Sequence, residues 1–118
     1  MTRRRLWLLI VGSALVVLVG MGSVRYGQAL QTAREATLRT QLHRMRDAID
    51  HYHRQTGRYP PSLAALVEAR YLRAIPEDPI TKSSGTWRLL PAETAVGFVD
   101  VKSGAPGRGG DGTPFSDW

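Results

Sequence analysis

Three histidines and two aspartates offer the first chemistry to weigh. His43, Asp47 and His51 are spaced i, i+4 and i+8, which places them on one face of a helix; Asp50 and His53 are three apart. Imidazole and carboxylate groups at such spacing can ligate a transition metal. No His-Glu-x-x-His or other zinc signature accompanies them, and Arg39, Arg44 and Arg54 stand nearby, where they oppose a further cation. The set reads as the solvated face of a mixed-charge helix. Ser83, Ser84 and Ser103 lie near glycines, but none sits in Gly-x-Ser-x-Gly. Gly104–Gly112 is glycine-rich, yet no Lys-Ser or Lys-Thr pair and no helix follow it, as a phosphate cradle requires. Trp87 reads as a core or interface aromatic rather than a ligand platform. With no cysteine, the chain has no disulfide, no thiolate metal site and no thiol nucleophile. No catalytic constellation is complete, so a structural role is expected rather than an enzymatic one.

The elements that must position these residues begin with a long helix. Leu6–Val24 (LWLLIVGSALVVLVGMGSV) is 19 residues without a charge, and no proline interrupts the chain before Pro60. At 1.5 Å per residue such a helix extends about 28 Å, close to the ~30 Å hydrocarbon core of a bilayer. Arg3, Arg4 and Arg5 precede it and supply half of the formal net charge of +6. That half has a membrane explanation. No Lys/Arg run interleaved with aromatics occurs elsewhere, so no nucleic-acid partner is expected. Leu6, Trp7 and Val24 mark the anchor's limits, with Trp7 at the interface; the arginines hold the N-terminus in the cytoplasm and send the C-terminus outward. The competing reading is a cleaved signal ahead of a monomeric exported binding domain. Its usual apolar region is shorter, about 7–15 residues, and no A-x-A site follows here. The expected organisation is a basic tip over 1–5, a transmembrane helix over 6–24, an amphipathic continuation over 25–56 and a small head over 57–118.

In the continuation, Leu38, Leu42, Met45, Ile49 and Tyr52 form a narrow apolar stripe with steps of four and three. Leu30 and Ala33 extend it backwards more weakly. The stripe covers about two heptads, short for a coiled coil, and so is read as packing against the chain's own C-terminal part. Gly57 stops the helix. Ser62 caps a short helix from Leu63 to about Ala69. Ile75-Pro76 and Asp78-Pro79 turn the chain. Thr86–Leu90 and Val96–Val101 are the expected strands, joined as a hairpin through Pro91–Thr94. Alternation puts Trp87 and Leu89 on one face and sets Phe98 opposite Gly97 and Val99. Phe115 and Trp118 are expected to pin the glycine-rich stretch between Ser103 and Thr113.

This order of features resembles the major pseudopilin of the type II secretion system, within the type IV pilin superfamily. The residues that carry the resemblance run from about 36 to 118. They are Asp47-Ala48-Ile49-Asp50-His51-Tyr52, Thr56-Gly57-Arg58-Tyr59-Pro60, Ser62-Leu63-x-x-Leu66-Val67, Tyr71-Leu72, Ile75-Pro76, Asp78-Pro79, Asp100-Val101-x-Ser103-Gly104 and Asp111-Gly112-Thr113-Pro114-Phe115-Ser116-Asp117-Trp118. The resemblance implies an α+β, type IV pilin-like fold: a long N-terminal helix, half membrane and half amphipathic, packed on a small antiparallel sheet with a short second helix and a C-terminal loop. It implies a subunit that stacks with other pseudopilin subunits into a homo-oligomeric filament on an inner-membrane secretion platform and serves protein export. A type IV pilus component is the neighbouring possibility. The implied location is the bacterial inner membrane, single-pass, with the head in the periplasm.

Two departures from the family pattern stand out. Prepilins of this class carry Gly-Phe-Thr-Leu-Ile-Glu at the membrane entrance, are cut after the glycine and use the glutamate in assembly. Here Arg5 precedes Leu6-Trp7-Leu8-Leu9-Ile10, with neither glycine nor glutamate. The resemblance also implies one Ca²⁺ in the C-terminal loop, with Asp111, Ser116 and Asp117 as its ligand candidates and Asp100 at the loop's entrance. Oxygen ligands on a flexible loop suit that ion. Where some relatives have an aspartate after Gly-Ala, Pro106 stands in this chain. The other reading of Asp111 and Asp117 is that they cap turns by accepting backbone N–H bonds.

Overall fold

A computed structural model describes residues 2–118. Helix α1 runs Thr2–Thr56, α2 Leu63–Glu68, strand β1 Arg88–Pro91, β2 Phe98–Lys102, and a terminal 3₁₀ turn, η1, Phe115–Asp117. The chain divides into two compact units, one ending at Ala33 and the other comprising Arg34–Trp118. The division falls inside the 25–56 stretch because the first buried stripe residue is Leu38; Leu30 and Ala33, expected to extend the stripe, are exposed.

The first unit is helix alone. Its apolar side chains from Leu6 to Val24 are exposed along the whole span, with none buried. Ser13 and Ser23 return their hydroxyls to the carbonyls of Ile10 and Val19 (2.9 Å each), which leaves no hydroxyl of this segment unmatched.

The second unit is an α+β arrangement built around the rear of α1. Leu38, Leu42, Met45 and Ile49 are at most 2 % exposed, and Ala48 joins them. They pack with Leu63 and Leu66 of α2, Trp87, Phe98 and Val101 of the hairpin, and Ala105 and Phe115 of the C-terminal loop. Each fully buried large side chain contributes about 1.5–3 kcal/mol, so this seam, rather than helix propensity, holds the segment. Tyr52, the last stripe residue, is half-buried and sets its ring edge-on to Tyr71 at 5.9 Å.

Local signals end the helices. Gly57 (φ +71°) closes α1 with its N–H on the His53 carbonyl at 2.8 Å. Ser62 Oγ accepts from Ala65 N at 3.1 Å and caps α2. At the other end Arg70 takes the left-handed conformation (φ 65°). It donates to Val67 O while Tyr71 donates to Leu66 O, the paired bonds of a Schellman cap. A non-glycine residue at this position was not foreseeable from the sequence pattern.

The hairpin differs from the expected ranges. β1 starts two residues late and β2 begins at Phe98 instead of Val96. The register pairs Arg88 with Lys102, Leu89 with Val101, Leu90 with Asp100 and Pro91 with Phe98, with an irregularity after Leu90. The extra residue, Val99, resets the alternation, which brings Phe98 and Val101 to the buried face although three positions separate them. Trp87 and Leu89 do not share a face: Trp87 precedes the strand and is buried, while Leu89 is 40 % exposed. Trp87 is held there by its indole N–H, which donates to the Pro76 carbonyl at 2.7 Å. Gly97 explains the late start of β2. Its φ is +109°, and a Cβ at that site would lie 2.6 Å from Tyr59 O and 2.8 Å from Pro60 O. Only glycine lets the hairpin approach this turn, where Phe98 N donates to Pro60 O at 3.1 Å.

Among the described residues two polar side chains, Asp78 and Ser103, are fully enclosed. Asp78 Oδ1 accepts from Ile80 N (2.8 Å) and Thr81 N (3.3 Å), and Oδ2 accepts from Ser103 Oγ at 2.7 Å. Ser103 Oγ in turn accepts from Ala105 N at 3.1 Å. Asp78 therefore fixes its own turn, closed by a bridge to Ser83, and ties it to the exit of β2. The sequence pattern marked Asp78-Pro79 only as a turn; its role as a buried hub is a finding of the structure.

Candidate functional site

Two regions hold the predicted functional residues, and each lies within one unit. In the first unit, Leu6, Trp7 and Val24 belong to an uncharged helical surface that is exposed throughout; they are 58 %, 71 % and 61 % exposed. One helix here is long and apolar enough to cross a membrane.

In the second unit, the C-terminal loop meets the outer side of α1. Asp111 Oδ1 accepts from Thr113 N (3.0 Å) and Thr113 Oγ1 (2.7 Å), an Asx turn closed twice by one residue. Asp111 Oδ2 faces Arg39 Nη2 at 3.4 Å. The Thr113 hydroxyl bond first, then its backbone N–H, then the Arg39 charge hold the Asp111 carboxyl below its ordinary value of 3.8. The Trp118 indole N–H donates to Thr113 Oγ1 at 2.8 Å, and its ring lies 4.3 Å beneath the Arg39 guanidinium carbon. Gly110 N donates to Glu35 Oε1 at 2.9 Å. Phe115 is buried and sets its ring edge-on to Trp118 at 5.1 Å, so these two residues do pin the glycine-rich stretch.

The calcium candidates lie on separate local elements, Asp111 on its Asx turn and Ser116 and Asp117 in the terminal turn. Ser116 and Asp117 lie on η1, and the Asp117 carbonyl accepts from Lys102 Nζ at 3.2 Å. Asp100 Oδ1 accepts from Arg46 Nε and from Val101 N, both at 2.8 Å, and Arg46 also reaches the Val101 carbonyl at 2.9 Å. Calcium takes about 6–8 oxygens at 2.3–2.6 Å. Both Asp111 oxygens already face donors, one of them a permanent cation, and Asp100 faces another. The turn-capping reading of Asp111 matches its bonds.

The histidine face is also resolved into separate contacts. His43 Nε2 stands 3.3 Å from Asp47 Oδ2, both well exposed. His51 turns to Tyr71, with ring centroids 5.8 Å apart. His53 stacks flat on Tyr59 at 4.1 Å and 3°, a contact with no sequence signal because it joins a helix to the turn beyond its cap. Among the described residues no three His, Cys, Asp or Glu side chains are grouped to hold a metal. Comparison with family models, curated proteins and solved structures yields no match to this chain.

The lowered pKa of Asp111 has a direct consequence. A carboxyl depressed in the folded state adds stability that is present above its unfolded pKa and is lost as pH falls through the folded value. Loop order should hold above about pH 4 and fade below it. Hydrogen exchange of the Thr113 amide across this range should show the onset of exposure in the wild type, and Asp111→Asn should flatten the profile. An identical profile in the variant would assign the transition to another group.

Proposed function

We propose that this chain is a membrane-anchored structural subunit of pilin-like type that acts by assembly and not by chemistry, in a type II secretion pseudopilus. The observation that carries this reading is the 19-residue uncharged face of α1, exposed in the isolated chain, on the same helix whose later turns form the spine of a small α+β unit. Lipid and the corresponding helices of other copies are the surroundings that suit such a face; left in water it would exceed any patch a soluble monomer exposes. The ordered motifs from Asp47 to Trp118 support the pilin-like assignment within that class, as does the α+β layout with its C-terminal loop pinned by Phe115 and Trp118.

In this account the anchor is permanent. Arg3, Arg4 and Arg5 stay in the cytoplasm, the helix crosses the inner membrane once, and Arg34–Trp118 folds on the periplasmic side. The partners are other pilin-like subunits and an inner-membrane platform. A segment without a carboxylate avoids the ~2.5–3.5 kcal/mol of placing one at the bilayer centre. Registration of subunits must then come from packing, to which Gly12, Gly20 and Gly22 contribute small surfaces.

Membrane extraction followed by intact mass tests the anchor. The expected result is a protein that resists alkaline carbonate and retains the Leu6–Val24 segment. Release as a soluble species lacking roughly the first 20–30 residues would identify a cleaved signal and overturn the reading.

A further inference from the structure

We propose that the Arg39 guanidinium is a built-in cation that clasps the C-terminal loop onto α1, so that closure of this loop needs no divalent ion. Two separate groups of the loop converge on it. The Asp111 carboxylate approaches its edge, with Oδ2 at 3.4 Å, and the Trp118 ring lies under its plane at 4.3 Å. Thr113 joins these two groups, since its hydroxyl donates to Asp111 Oδ1 (2.7 Å) and accepts from Trp118 Nε1 (2.8 Å). Arg39, Asp111, Thr113 and Trp118 therefore close a ring of contacts in which each member orients the next.

The geometry is particular to arginine. A planar guanidinium can meet a carboxylate at its edge and an aromatic ring with its face at the same time, which an ammonium does not. Four residues earlier on the helix, and so on the same face, Glu35 takes the Gly110 N–H at 2.9 Å. The helix thus grips the loop with a cation and an anion one turn apart. Gly109 permits the closeness: a Cβ there would lie 2.3 Å from Trp118 Cζ2. Between Arg108 and Trp118 the backbone bonds are few and local, such as Gly109 N to Thr113 O (2.9 Å) and Gly112 N to Gly109 O (3.0 Å). Side-chain contacts, those to α1 among them, therefore supply much of the loop's position.

An exposed ion pair alone is worth little, and the side chains of Arg39 and Asp111 are 62 % and 48 % exposed. The effect expected is a local one, on the fraction of time the loop is open, and not on the fold of the unit. Hydrogen exchange at the Gly109, Gly110, Gly112 and Thr113 amides of the full chain in detergent reads that fraction. Wild-type exchange is expected to be the same in EDTA and in millimolar calcium. Arg39→Gln should speed it by roughly fivefold under both conditions, the size of one partly exposed cation–π contact and its ion pair. Arg39→Lys should recover only part of the protection, and Thr113→Ala should mimic Arg39→Gln by breaking the link between Asp111 and Trp118. Slower wild-type exchange in calcium than in EDTA would overturn the proposal, as would unchanged exchange in Arg39→Gln. Neither outcome bears on whether the chain assembles, so this inference stands or falls apart from the assembly reading.

Discussion

Asp78→Ala is expected to lower the stability of the Arg34–Trp118 unit by roughly 3–5 kcal/mol. The side chain is 0 % exposed and is the acceptor for the Ile80 and Thr81 amides and the Ser103 hydroxyl. Alanine would leave these donors without an acceptor in a site closed to water, at about 1–3 kcal/mol each, partly relieved by rotation of the hydroxyl. A small domain holds only about 5–10 kcal/mol in total, so much of the population would unfold at growth temperature. Asp78→Asn should cost less, about 1–2 kcal/mol, because its carbonyl still serves the two amides and its NH₂ can donate to Ser103. Urea unfolding of the detergent-solubilised chain, followed by near-ultraviolet circular dichroism, measures both. A loss below ~1 kcal/mol for alanine would mean that water enters the site and that Asp78 is not the hub described.

Ile49→Ala should be comparably damaging, at about 3–4 kcal/mol, with Ile49→Val near 1 kcal/mol. Ile49 is fully buried where the helix stripe meets the rest of the core. Truncation leaves a cavity that the surrounding core side chains fill only in part. Leu30→Ala supplies the contrast. Leu30 is 41 % exposed and lies in the other unit, so its effect on the same unfolding transition should stay within about 0.5 kcal/mol. Equal losses at both positions would show that the stripe extends further back than the burial pattern indicates.

The long helix was the most legible feature of the sequence, because an uncharged run followed by steps of four and three leaves little freedom of interpretation. Its stop at Gly57 and the cap at Ser62 were legible for the same reason: each is a local signal with a local cause. The hairpin was legible as a pair but not in register. Alternation alone cannot show that Gly97 must abut the Tyr59–Pro60 carbonyls, nor that Val99 is an extra residue that turns Val101 inward. Alternation puts Leu89 and Trp87 on one face, but Trp87 answers to the Pro76 carbonyl, a partner eleven residues away. The C-terminal loop was half legible. Phe115 and Trp118 could be seen as pins, but the candidates for calcium were a set of types, and types do not reveal that arginines on α1 already face Asp111 and Asp100. The Asp78–Ser103 bond and the His53–Tyr59 stack join parts of the chain that no spacing rule connects.

Assembly through the apolar helix is the central claim, and disulfide cross-linking in cells tests it most directly. The chain has no cysteine, so single substitutions at Leu15, Val16, Val17 and Leu18, which scan successive directions around the helix, introduce the only thiols. Membrane-bound dimers are expected under oxidation for a subset of these positions, with helical periodicity, and a ladder of larger species when two reactive positions are combined. A protein that stays monomeric at every position, or that is found only in the soluble fraction, would contradict it.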